Sequence, residues 1–178
     1  MKSLDKIGLG GGCHWCTEAV FQYLKGVKKV EQGWIASEKE NFAFAEAVIV
    51  HFNPKEIPLA VLVEVHLHTH KSTSNHSLRK KYRSGIYVFS ETQSNDIMEI
   101  LKVLQPIFKN KLITKIYSFK EFKASREQIQ NYYKKNPEKP FCKTFINPKL
   151  RVLLKEYNQY VYTEKLPHLI DRNNEHET

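Results

Sequence analysis

Three consecutive glycines, Gly10-Gly11-Gly12, run straight into Cys13-His14-Trp15-Cys16, and no other stretch restricts the folding of the chain as much. Glycine allows positive φ and close backbone approach. Before the run stands a short apolar stretch ending at Leu9; after it, Ala19, Val20, Phe21 and Leu24 recur at helical spacing. The stretch therefore predicts a strand, a tight turn and a helix, with Cys13 at or near the helix N-terminus. Unpaired N–H groups and the helix dipole favour negative charge there, so the Cys13 thiol is expected to ionise readily. Cys16 follows one turn later, the spacing of a dithiol redox pair. A buried structural cysteine is the plainer alternative. Half a zinc site has the same spacing, but the third cysteine, Cys142, has no partner at ligand spacing, and no metal is expected.

The 178 residues suit one domain over 1–170 with a polar, disordered tail at 171–178. No apolar run approaches a membrane span and the N-terminus lacks a signal-peptide stretch, which points to a cytoplasmic protein and no membrane partner. In that reducing compartment three cysteines suit catalysis better than stapling. The net charge of +9 raises the question of nucleic acid, but the lysines are scattered and only Arg79-Lys80-Lys81 with Arg83 forms a tight cluster. A solvated basic face on a monomer, with no nucleic-acid partner, is the expectation.

Along the chain, strands are predicted over 6–9, 27–35, 42–52, 86–89 and 113–119, and helices over 16–24, 58–68, 93–108 and 125–134, the last with Ser125 as N-cap. A proline-stiffened loop at 136–142 carries Cys142, and Asn147-Pro148 opens a final helix. This order predicts an α+β domain, a two-layer sandwich of a mixed or antiparallel sheet with helices against it. Glu46 interrupts an apolar strand (Phe44, Ala45, Ala47, Val48). It reads either as a surface-facing residue or as an acid kept neutral by burial. His66 and His70, one turn apart and with His76 near, could bind a metal but lack a carboxylate or cysteine at ligand spacing.

Five separated motifs in order resemble the A-type peptide methionine sulfoxide reductases, over about 6–142. They are Gly12-Cys13-His14-Trp15-Cys16-Thr17-Glu18; Gly33-Trp34; Ala45-Glu46-Ala47-Val48 with His51-Phe52-Asn53-Pro54; Lys81-Tyr82-Arg83-Ser84-Gly85-Ile86-Tyr87; and Asn131-Tyr132-Tyr133 with Lys135-Asn136-Pro137 ahead of Cys142. The resemblance implies a ferredoxin-like core, with 143–170 as a helical extension. It also implies reduction of the S epimer of methionine sulfoxide, free or in oxidised proteins and peptides. In that reading Cys13 is the nucleophile, Glu46 the acid, and Tyr82 the hydrogen-bond donor to the sulfoxide oxygen. His14, Trp15 and Trp34 line the substrate site. Cys142 resolves the sulfenic acid, with Cys16 as alternative or relay. No cofactor is implied beyond an external dithiol, thioredoxin.

Three residues of these motifs and their surroundings depart from the family pattern. His14 stands for a Phe, Trp34 for a Tyr, and Ser77 for the Asp five residues before the active-site Tyr. The basic cluster at 79–81 suggests an acidic substrate or partner. A general thiol–disulfide oxidoreductase using Cys13 and Cys16, or a sulfoxide- or metal-binding relative without turnover, are the competing readings.

Overall fold

Alternation decides which face of each strand meets the helices. In β1 (Asp5–Gly10) Ile7 and Leu9 are fully buried on one face, and the register sets Ile7 opposite Val50 and Leu9 opposite Val48 of β3 (Ala45–Phe52). β2 (Val27–Ala36) pairs antiparallel with β3 on its other side, and β4 (Gly85–Val88) antiparallel with β1. A computed structural model describes residues 4–170 of the chain; the tail expected to be disordered lies outside them. With β5 (Lys115–Ser118) parallel to β4 and β6 (Glu121–Ala124) antiparallel to β2, the sheet runs β5-β4-β1-β3-β2-β6.

The inner four strands, in the order β4-β1-β3-β2, are joined through α1 (His14–Gln22) and α2 (Leu59–Thr69) as βαββαβ. That is the ferredoxin-like core the resemblance implied. α3 (Glu91–Leu104) links β4 to its parallel neighbour β5, as parallel pairing requires. The helix-side face of the sheet shares one core with Ala19, Val20 and Phe21 of α1, Leu62 and Val65 of α2, and Leu150 and Leu153 of α5 (Asn147–Glu156). The other face is thin: Ile35, Ala47 and Tyr87, covered by Tyr117, Phe119 and Phe122.

Two segments differ from expectation. The helix predicted over 125–134 is only a short 3-10 turn, Glu127–Ile129, and the brief α4 (Tyr132–Lys135), and the edge strand β6 just before it was not expected. β6 hides in the sequence because only Phe122 of its four residues is apolar and half-buried while its charged neighbours face water. Ser125 caps nothing; its N–H donates to the Gln32 carbonyl. Gly33 is what lets this edge close, since a Cβ there would come within 2.1 Å of the Lys123 carbonyl oxygen. Cys142 lies not in a loop but in a π-helical turn, Cys142–Ile146, that leads directly into α5. The Asn147 side chain therefore caps no helix and instead accepts from the Tyr133 hydroxyl at 2.6 Å.

Candidate active site

Cys13 is the N-cap residue of α1, half-buried, with φ −58° and ψ 128°. Its carbonyl takes the first helical bonds, from the N–H groups of Cys16 and Thr17. The thiol is lowered below the ordinary cysteine range chiefly by a hydrogen bond from the Cys16 thiol, against the cost of burial and the nearby Glu46, with help from the N–H groups of Trp15 and Cys16. The Cys16 thiol moves the other way. It donates to Cys13, is 5 % exposed, and is held protonated.

A cation from α5 sits beside this pair. Lys149, on α5, extends inward and donates to the Thr69 carbonyl, and both Cys13 and Cys16 feel its ammonium. Burial lowers the lysine, and no carboxylate pairs with it among the described residues. The thiolate is the anion available to offset that charge. Lys149→Met is accordingly expected to raise the Cys13 thiol by up to ~1 pH unit, read as thiolate absorbance at 240 nm against pH; an unmoved titration would count against the pairing.

Glu46 faces the helices, not solvent, because it continues the row of Val48 and Val50 along β3, opposite Trp34. The residue is 6 % exposed, and burial raises its carboxyl above the usual carboxylate range, against the pull of Lys81 and Tyr82. Oε1 lies 3.0 Å from Nε2 of His14, whereas Oε2 is buried with no hydrogen-bond partner among the described residues. His14, the first residue of α1 and 3 % exposed, donates from Nδ1 to the Gly33 carbonyl at 2.8 Å. Its ring meets Trp34 edge-on at 5.0 Å. Burial and Lys81 both lower its pKa. Tyr82 and the exposed Lys81 complete this end of the sheet, with the Lys81 ammonium 5.1 Å from the Tyr82 ring.

The glycine turn is held from beneath by side chains that sequence reasoning placed elsewhere. Gly11 has φ +152°, and a Cβ there would come within 2.4 Å of the His70 ring. His66 donates from Nε2 to the Gly10 carbonyl at 2.8 Å, and Arg79 donates to the Gly11 and Tyr82 carbonyls, each at 2.8 Å. His70 stacks on His66 at 4.2 Å, donates to the His66 carbonyl, and meets Ser84 Oγ at 2.8 Å. The metal reading of His66, His70 and His76 thus gives way to a buttress. No cluster able to hold a metal occurs among the described residues. Arg79 likewise turns inward, its guanidinium donating to the carbonyls of Ser74, Gly11, Tyr82 and Lys71.

The structure brings Cys13, His14, Cys16, Trp34, Glu46 and Tyr82 to one end of the sheet. Trp15 stacks on Tyr132 at 4.0 Å and meets Phe141 edge-on at 5.3 Å, an aromatic wall beside Cys13. Cys142 is fully buried in its turn, with its thiol 3.5 Å from the Asn136 carbonyl and its charge state felt at Cys16. Two further residues escaped notice. Lys149 carried no signal in sequence. Glu18 stood in the first motif without a role; its carboxylate accepts from the N–H groups of Asn131 and Tyr132 and ties α1 to α4.

A model of the family described as peptide methionine sulfoxide reductase matches residues 5–161, which takes the likeness past Cys142 and through α5. The peptide methionine sulfoxide reductase MsrA of Psychrobacter sp. (strain PRwf-1) is 34 % identical over 174 residues, covering 89 % of this chain and 99 % of that one. Among solved structures, Mxr1 from Saccharomyces cerevisiae in reduced form superposes with a TM-score of 0.71 at 28 % identity, covering 80 % of this chain and 91 % of that one. Mxr1 in complex with Trx2 gives 0.58 at 27 % identity, covering 73 % and 85 %. The family model spans most of the chain and the bacterial relative is matched over nearly its whole length, so the chain belongs to the peptide methionine sulfoxide reductase family, with the A-type enzymes.

Proposed function

We propose that this chain reduces methionine S-sulfoxide to methionine with Cys13 as nucleophile and Glu46 as the acid that protonates the departing oxygen. The observation that carries the reading is the meeting, at one end of the sheet, of a thiol held low and a carboxyl held high. The Cys13 thiolate attacks the sulfoxide sulfur, and the oxygen passes to Cys13 as a proton arrives from Glu46. The products are the thioether and Cys13 sulfenic acid. Tyr82 donates a hydrogen bond to that oxygen, and Trp15 and Trp34 offer apolar surface to the methyl group.

Cys16 is the first resolving thiol, since it already donates to Cys13. Its sulfur attacks the sulfenic sulfur, its proton leaves with the hydroxyl as water, and a disulfide remains. Cys142, buried next in line, receives that disulfide by exchange. An external dithiol protein then reduces it, in keeping with the complex of yeast Mxr1 with Trx2. No helix among the described residues is long and apolar enough to cross a membrane, and the reducing cytoplasm suits a chain that must keep three thiols free.

Single turnover of pre-reduced protein on an S-sulfoxide peptide, without added reductant, tests this. Wild type should form about one equivalent of methionine or more, and Cys13→Ser none. Mass-spectrometric mapping should find Cys13–Cys16 before any Cys142 disulfide. A Cys13–Cys142 disulfide formed first, at an unchanged rate in Cys16→Ser, would overturn the order. No product from folded, fully reduced wild type would overturn the reading.

A further inference from the structure

His14 occupies a place where an apolar ring would serve to line a methyl pocket, yet its Nδ1 is hydrogen-bonded and its Nε2 lies 3.0 Å from a Glu46 carboxyl oxygen. Nδ1–H is committed to the Gly33 carbonyl, an acceptor only, so Nε2 alone faces Glu46. A neutral ring is then an acceptor at Nε2. The carboxyl's proton must lie on Oε1, turned away from the buried, unpartnered Oε2. When Nε2 also carries a proton, the ring donates to Oε1, and the carboxyl can hold its proton only on Oε2.

We infer that His14 is a positioning residue for the acid: its protonation selects the oxygen on which Glu46 carries its proton, and only the doubly protonated pair presents that proton to the sulfoxide. The inference rests on Glu46 being the acid. The proton balance is simple. Oε2–H gives its proton to the sulfoxide oxygen as the Cys13–O bond forms and the S–O bond breaks. Glu46 is left as a carboxylate against the His14 imidazolium, and solvent returns one proton per turnover. The groups that face the pair are Cys13 on α1, and Lys81 and Tyr82 from the segment before β4. β2 contributes only Trp34 and the Gly33 carbonyl, which do not titrate. Lys81 stays charged throughout, and ionisation of Cys13 can be measured separately.

The test is the pH profile of single-turnover sulfoxide reduction, divided by the thiolate fraction read at 240 nm, for wild type, His14→Phe, His14→Gln and Glu46→Gln. The wild-type rate should fall about tenfold per pH unit above the histidine titration. In His14→Phe and His14→Gln the carboxyl's proton is free to occupy Oε2, and the falling limb should move to higher pH. Both variants should therefore overtake wild type on its alkaline side. A falling limb at the same pH in wild type and both variants would overturn the role of His14, including the case where the variants are merely slower at every pH. Glu46→Gln as fast as wild type would instead overturn the acid itself. ¹⁵N spectra of His14 in the unmutated protein give an independent check: they should report Nδ1–H with an unprotonated Nε2 at neutral pH, and the opposite tautomer would end the proposal.

Discussion

Glu46→Gln is expected to slow single-turnover sulfoxide reduction by about 10²–10⁴-fold, the usual worth of a positioned general acid. The thiolate titration should stay near the wild-type one or fall slightly, because Glu46 raises the Cys13 thiol and its charge is then gone. The amide keeps the shape of the carboxyl and can still donate to Nε2 of His14, so the fold should survive. What it lacks is a transferable proton. Thiolate attack places negative charge on an oxygen at a site where Oε2 has no other partner among the described residues. Rates measured with the thiolate fraction held constant separate the acid from the nucleophile. An effect under threefold would mean that the proton comes from elsewhere, with Tyr82 the next group to examine.

Acidification should unfold the protein through the histidines beneath the glycine turn. His66 is fully buried, its Nδ1 has no partner among the described residues, and burial holds its pKa down at about 4, against 6.5 for a free histidine. His70 is held well below the ordinary value for the same reason and by charge repulsion from the neighbouring His66. A histidine whose folded pKa is depressed binds its proton more readily when unfolded. Its contribution is therefore intact above pH 6.5 and is lost as pH falls from there through about 4. The difference is worth ~3 kcal/mol for His66 alone, a large share of a domain's stability. Denaturant unfolding across this range should show a steep loss of stability on the acid side. His66→Gln should be less stable at neutral pH, because the Gly10 contact is disturbed, yet show a shallower acid slope. An unchanged slope in that variant would mean that other groups carry the acid transition.

Much of this was legible in the chain. Gly10-Gly11-Gly12-Cys13 announced strand, turn and helix start because a triple glycine is hard to use otherwise, and Cys13 is indeed the N-cap. The alternating strands and helical stripes produced the α+β class, and five motifs in order carried the family. The departures lie where local signals are weak or misleading. β6 has one inward residue, too few to show a period. Around Cys142, Asn136, Pro137 and Pro140 signal a loop and obscure a helical turn that packing imposes.

The sequence determined the order of the core elements, the glycine turn and helix that present Cys13, and the family, because these depend on local periodicity and on contiguous motifs. The tertiary structure alone decided the environment of each group. Only the register of β2 on β3 turns Glu46 inward beside Trp34 and gives His14 the Gly33 carbonyl. The packing of α5 on α1 alone brings Lys149 within reach of two thiols near the other end of the chain. Desolvation and Coulomb interaction depend on distance in space, and that distance between residues far apart in the chain exists only once the sheet has closed and the helices have docked.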